Sequence, residues 1–485
     1  MLTRRHFLAA TACFAGGASV AASGRVAAFA TPLAPVPAPA TGRTVSARFV
    51  AAERPRALPC FDGHVMPMWT FSDGEWPPVL RLNLGDRLDV VVENALPREG
   101  EHTSIHWHGI RLPNDQDGVP YLIQPPVEPG QSYRYGFVPP DTGTFWFHTH
   151  CNTAEQLGRG LVGLLIVDGD TTEPYAADVT LQLRDWPIDL DKGVFRSFFT
   201  KRGASKAGTY GNVRSANGAA EAEVVLPARS DCRLRLVNTD RTRVMEMVVE
   251  GAETAVVAVD GIAVPPFPLD GWYLSPGSRV DLVVRSPGEG AVAHLLDRRL
   301  EPAVSLARLV GRGPAGPGGA FDPRPLRAGR IPEPDIAAAD RLTFTFASAD
   351  PAAAAAVDDP TGGLLLGSLC LSTETLWSIN GAEWPGKDHS KIPPPLAVLQ
   401  RGRSYVFELK NASRLMHPIH IHGHSFKVLR SNLRSLPAHH ADTVLLMPGE
   451  TVEVALVADN PGKWMFHCHV IEHQEAGMMG YVEVL

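Results

Sequence analysis

Basic residues are too few here to face a nucleic acid. The 485-residue chain carries 45 Lys and Arg against 52 Asp and Glu, a net charge of −7, whereas a phosphate-binding surface needs a positive field. Long hydrophobic runs are missing as well. The most apolar stretch, near the N-terminus, is short and broken by Gly and Ser, while a membrane span takes about 20 apolar residues. Aromatic residues make up only 7%, and the 10 methionines form no Met-rich insertion. Cysteine is scarce, with 6 in all. Cys13 and Cys468 belong to motifs described below, which leaves Cys60, Cys151, Cys232 and Cys370. Four cysteines allow three full pairings, and spacing cannot choose among them. Buried free thiols fit as well.

Glycine and proline are plentiful, at 45 and 42 residues. That composition suits a turn-rich, all-β protein, and the length suits about three domains of roughly 150 residues. Residues 1–30, MLTRRHFLAATACFAGGASVAASGRVAAFA, pair Arg4 with Arg5 ahead of Phe7-Leu8 and a run of small residues. This segment resembles a twin-arginine signal peptide, an address read by the export machinery and not an anchor. Ala28-Phe29-Ala30 suits cleavage. Removing residues 1–30, which hold Arg4, Arg5, Arg25 and no acid, takes the net charge from −7 to −10. The expectation is a periplasmic or secreted protein without a membrane anchor. Cys13 fits a lipid-attachment motif poorly, because Ala10 stands where leucine is usual.

Internal repeats then divide the chain. PPVLRLNLGDRLDVVVENALPREGEHTSIHWHG, from Pro77, matches PPLAVLQRGRSYVFELKNASRLMHPIHIHG, from Pro394. TGTFWFHTHCNTAEQLGRGLVGLLIV, from Thr142, matches PGKWMFHCHVIEHQEAGMMGYVEV, from Pro461. The middle of the chain carries the same frame from Glu223 and from Ser275, with Val248 and Glu250 in place of His420 and His422. There Ala293, His294 and Leu295 replace His467, Cys468 and His469, so the middle unit has no ligand set. The alternation has period two, which predicts half-buried strands. Three such units predict three Greek-key β-sandwich domains, at 44–170, 175–310 and 341–485, with a Gly/Pro-rich linker at 311–340.

Of 18 histidines, ten cluster at matched repeat positions: His106 and His108; His148 and His150; His417, His420 and His422; His467, His469 and His473. Residues i and i+2 of a strand share a face. Each His-X-His therefore aims two imidazoles at one side, and eight converge where the first and last domains meet. Cys468 faces the opposite way. His417 has the opposite parity to His420 and His422 and can join Cys468, with Pro418 expected to help the chain turn. His473 and Met478 lie beyond the strand and can fold back. A His₂Cys set with a weak axial Met is a blue-copper electron-transfer site.

Together these four motifs resemble those of the multicopper oxidases, the laccase family, from about residue 44 to the end. The resemblance implies cupredoxin-like domains and four copper ions, one of type 1, one of type 2 and two of type 3. It places His417, Cys468, His473 and Met478 at type 1 and His106 and His420 at type 2. His108, His148, His150, His422, His467 and His469 fall at the type 3 pair. It implies one-electron oxidation of a small-molecule substrate, a phenol or aromatic amine, with electrons entering at His473 and passing through Cys468 while dioxygen is reduced to water. Cuprous-ion oxidation for copper tolerance and bilirubin oxidation are the alternatives. A copper-sequestering or scaffold protein is set aside because the ligand set is complete. A monomer is expected.

Dioxygen reduction consumes protons, so acids belong near the cluster. In LPNDQDGVP the family acid matches Asp117, which equally suits an Asp-Gly turn. Many bacterial relatives have Glu where this chain has Gln474, which cannot ionise; Glu472, Glu475 or water would have to serve. His424 reads as lying beside the metal or at the surface ahead of being a further ligand, Asp442 as a strand-entry turn ahead of contacting substrate or orienting a type 1 histidine, and His439 and His440 as solvated. Met66, Met68, Met245 and Met247 alternate like core residues.

Overall fold

The computed structural model describes residues 39–349 apart from 315, 317 and 318, then residues 375–384 and 392–485. The expected signal peptide, Cys13 and Cys370 lie outside the described residues. Among those described, strands dominate, and the α-helices Thr153–Arg159, Lys201–Ala204 and Ile471–Glu475 are short. No helix among them is long and apolar enough to cross a membrane.

The fold is all-β, and its sheets come in pairs that follow the sequence repeats. Two 4-stranded sheets occupy the first repeat, built on Thr44–Arg56 with Arg87–Ala95 and on Gly143–His148 with Val162–Asp168. The second and third repeats each pair a 6-stranded with a 5-stranded sheet. Strand Arg87–Ala95 alternates buried and exposed residues, as period two requires. Its Leu88, Val90 and Val92 share a core with Trp107, Phe147 and Leu165 of the facing sheet, where a fully buried large apolar side chain contributes about 3 kcal/mol.

Strand pairing repeats with the sequence. In each unit the first long strand runs parallel to a later one: Thr44–Arg56 with Arg87–Ala95, Asp178–Trp186 with Asp231–Asn238, and Asp340–Ser348 with Ser404–Asn411. Periodicity alone does not carry that information, because parallel and antiparallel strands share the same alternation. The histidine-bearing strands depart from half-burial. Gly143–His148 is buried along its whole length, since one face meets its own core and the other meets the neighbouring repeats. Gly143 itself is packed so closely on Gly261 that a Cβ would lie 2.3 Å from the Gly261 carbonyl oxygen. Pro418 does not turn the chain; it lies inside the strand His417–Ile421, opposite Leu445, and its carbonyl accepts from the His469 amide at 2.6 Å.

Candidate metal centre

Cross-strand register, more than sequence spacing, brings the histidines together. His106 lies directly opposite His148, and His420 lies opposite His467 while Ile419 faces Cys468. Opposed residues hold their Cβ atoms about 5 Å apart. Both hairpins then meet face to face. The His106 and His422 rings stack at 3.7 Å between centroids, and those of His108 and His420 at 3.8 Å. All eight imidazoles are buried.

These eight sort into three groups whose ligand atoms lie within 4.8 Å of one another: His106, His108 and His420; His108, His148 and His469; His150, His422 and His467. In most of them one ring nitrogen is already held by an oxygen. His106 Nδ1 donates to the Asp117 carbonyl at 3.0 Å, His148 Nδ1 to Thr149 at 2.9 Å, His420 Nδ1 to Asp442 at 2.9 Å, and His467 Nδ1 to Cys468 at 2.9 Å. His422 Nδ1 donates to the Asp117 carboxylate at 2.9 Å. His108 is turned the other way, with Nε2 on Asp442 Oδ1 at 3.2 Å. The opposite nitrogens, His106, His148, His150 and His420 Nε2 and His108 Nδ1, are buried without a hydrogen-bond partner, as are both ring nitrogens of His469. Buried polar atoms are rarely left so. A pinned tautomer with an open, converging nitrogen is what a metal ion requires. Burial also holds His108, His148, His150, His422, His467 and His469 well below the usual imidazole range, so the rings stay neutral and able to bind.

Cys468 points away from these groups, as strand parity requires, into a second one. Its Sγ lies 3.5 Å from His417 Nδ1 and 3.7 Å from His473 Nδ1, and those two nitrogens are 3.1 Å apart. His417 Nε2 meets Ser413 Oγ at 2.8 Å, and His473 Nε2 donates to the Lys206 carbonyl at 2.6 Å. Both Nδ1 atoms are thereby turned to the sulfur. The Val470 amide donates to Sγ at 3.4 Å. Burial pushes the thiol well up and His473 down to about 4. Met478 is buried, and its carbonyl accepts from the Cys468 amide at 3.1 Å. This donor set, soft sulfur with two imidazoles, fits copper.

Asp117 is buried and touches two of the histidines. The Asp-Gly turn is real too: Gly118 has φ +83, and a Cβ there would lie 1.7 Å from the Ile105 carbonyl oxygen. Asp442 is not a simple turn residue. It is fully buried, holds His108 and His420, and pairs with Arg279 at 2.6 Å. Arg279 and its other neighbour, Asp260, escaped sequence reading. They come from the middle repeat, which has no ligands of its own and so carried no signal. His439 is not solvated either; it is buried, donating through Nδ1 to the Pro437 carbonyl at 2.6 Å. His424 lies beside the cluster, with Nδ1 on the His422 carbonyl at 3.3 Å. His294 is half-exposed. Cys60 and Cys232 are buried thiols in no disulfide.

The His473 edge is covered and not open to solvent. Above it runs the segment from Thr200 to Tyr210, tied down by Glu472, which accepts from the Thr200 amide at 3.0 Å, from Thr209 Oγ1 at 2.7 Å and from the Thr209 amide. Trp377 lies 4.7 Å from the His473 ring and donates to the Ala204 carbonyl at 2.7 Å. Glu472 therefore fastens this cover. Glu475 accepts from the Ala154 amide at 2.8 Å. Gln474 is buried, and its Oε1 has no hydrogen-bond partner.

Comparison with known proteins agrees with this geometry. Models of multicopper oxidase domains match residues 59–172, 177–290 and 371–485. The chain superposes on a multi-copper oxidase from Pseudomonas thermotolerans with a TM-score of 0.80 at 38% identity, covering 91% of this chain and 99% of that one. It is 28% identical to the multicopper oxidase MmcO of Mycobacterium tuberculosis, over 91% of this chain and 87% of that protein. Laccase-2 of Botryotinia fuckeliana is 26% identical, over 87% of this chain and 79% of that protein.

Proposed function

The chain belongs to the multicopper oxidase family, oxidoreductases that act with dioxygen, and on that premise we propose that it is a laccase-like oxidase of phenols or aromatic amines. Four phenols would release four electrons and four protons and become phenoxyl radicals, while one dioxygen becomes two waters. The observation that favours phenols over cuprous ions is where the methionines lie. Met66, Met68, Met245, Met247, Met465, Met478 and Met479 are buried, and only Met416 and Met447 of the described residues are partly exposed. A cuprous-ion substrate would need several accessible soft sulfurs.

In this reading His417, Cys468, His473 and Met478 hold the type 1 copper, and His106 and His420 hold type 2. His108, His148 and His469 hold one type 3 ion, and His150, His422 and His467 the other. When bound, copper supplies the reversible one-electron chemistry that the side chains lack. Cys468 is joined by one peptide unit each to His467 and His469, so the two groups are bridged covalently. Asp117 keeps a carboxylate on His422, where it can hold a proton for dioxygen reduction. The division at 44–170, 175–310 and 341–485, export by the twin-arginine route and a monomeric state complete the proposal. Copper counting with dioxygen uptake tests it: about four ions per chain and water as product are expected. A tenfold preference for Cu(I) over a dimethoxyphenol would overturn the substrate class.

A further inference from the structure

A cavity of about 140 Å³ lies next to the sulfur-containing group, lined by residues that adjoin it. Ala207, Leu415, Met416 and Val470 form its inner wall. Each is chained to that group. Ala207 follows Lys206, whose carbonyl takes the His473 Nε2 proton. Leu415 and Met416 precede His417, and the Val470 amide donates to Cys468 Sγ. A molecule seated here lies beside residues that adjoin His417, Cys468 and His473 while the His473 edge stays covered. In other proteins a cavity of about 150 Å³ accepts one benzene ring.

The rim is charged. Tyr210, Arg299 and Arg414 line it, and no carboxylate does. Neighbouring arginines are committed: Arg243 pairs with Asp185 at 2.7 Å, and Arg241 donates to the Phe198 and Thr209 carbonyls. Among the described residues, neither Arg299 nor Arg414 has a carboxylate within 4.0 Å. Two unneutralised guanidinium groups repel a cation and match the planar fork of an anion. We propose that this cavity is the subsite for an anionic phenol, its ring against Leu415, Met416 and Val470 and its carboxylate or sulfonate held by Arg299 and Arg414. The inference rests on the laccase-like reading above and names its substrate class.

The test compares 2,6-dimethoxyphenol with 4-hydroxy-3,5-dimethoxybenzoate in the copper-loaded enzyme and in the double variant Arg299→Gln, Arg414→Gln. Both arginines lie at the surface, and the ratio between the two substrates cancels any change in copper content. The benzoate-to-phenol ratio of kcat/KM is expected to fall about tenfold in the double variant, the order set by two partly exposed ion pairs. The loss should fall mainly in KM, and the wild-type ratio should shrink as salt rises. A ratio unchanged within twofold overturns the subsite and leaves the laccase-like reading standing. Wild-type enzyme that oxidises Cu(I) but neither phenol overturns that reading, and the subsite with it.

Discussion

Replacing Arg279 by methionine removes one side chain that joins all three repeats. Its fully buried guanidinium donates to the Thr144 carbonyl at 3.1 Å, the Gly277 carbonyl at 3.2 Å, the Asp260 carbonyl at 2.8 Å, and both Asp442 oxygens at 2.9 and 2.6 Å. Methionine keeps a stem of similar length but brings neither donors nor charge. Asp442 and Asp260 would then lie buried together without their cation. Arg279 holds Asp442 well below the usual carboxylate range despite its burial, while burial and the Asp442 charge push Asp260 up to about 7. Breaking a buried pair costs about 3–5 kcal/mol. For an unfolding unit of roughly 200 residues, that lowers the melting midpoint by about 10 °C. Asp442 would also take up a proton and loosen its hold on His108 and His420, a loss worth roughly 10–100-fold in metal affinity. Calorimetry of copper-loaded and copper-free protein, with a chelator titration of bound copper, reads both effects. The double variant Arg279→Met, Asp442→Asn should cost less than the sum of the single changes, because the two charges leave together. A midpoint within about 2 °C of wild type, with copper held as tightly, would refute this account of the junction.

Gly277→Ala should expel copper while leaving the sheets intact. At φ +88 its Cβ would lie 3.0 Å from both His108 Cε1 and His469 Cδ2, and copper counting beside circular dichroism checks this. The copper-free protein should lose stability in acid. Burial holds the imidazoles of His148, His417 and His469 well below 6.5, so below about pH 6.5 the unfolded chain takes protons that the folded one refuses. Stability is therefore full above that pH and falls by about 1.4 kcal/mol per histidine for each further unit. Urea midpoints flat between pH 8 and pH 5 would contradict it. Gln474→Glu adds a buried acid at a position whose Oε1 is now unpartnered. It should shift the pH dependence of kcat, and an unchanged profile would remove position 474 from proton delivery.

Local alternation carried most of the candidate centre. His-X-His at one parity and Cys468 at the other require only that the segment be a strand, and a strand's faces follow from backbone geometry. The separation of Cys468 from His467 and His469 was therefore legible before any tertiary contact was known. Asp442 does sit at the bend that enters strand Thr443–Leu446, but its hold on His108 and His420 was illegible for the opposite reason. Its role depends on Arg279, 163 residues earlier in the chain, and on how the middle repeat docks, which no window of alternation contains. The same holds for the cover over His473. Thr200, Lys206 and Thr209 carry no motif and acquire meaning only because Glu472 and His473 receive them. The middle repeat, which has no ligand position, supplies the cation that orients the ligands, the backbone that covers His473 and, in Tyr210 and Arg299, two of the three rim residues of the proposed subsite.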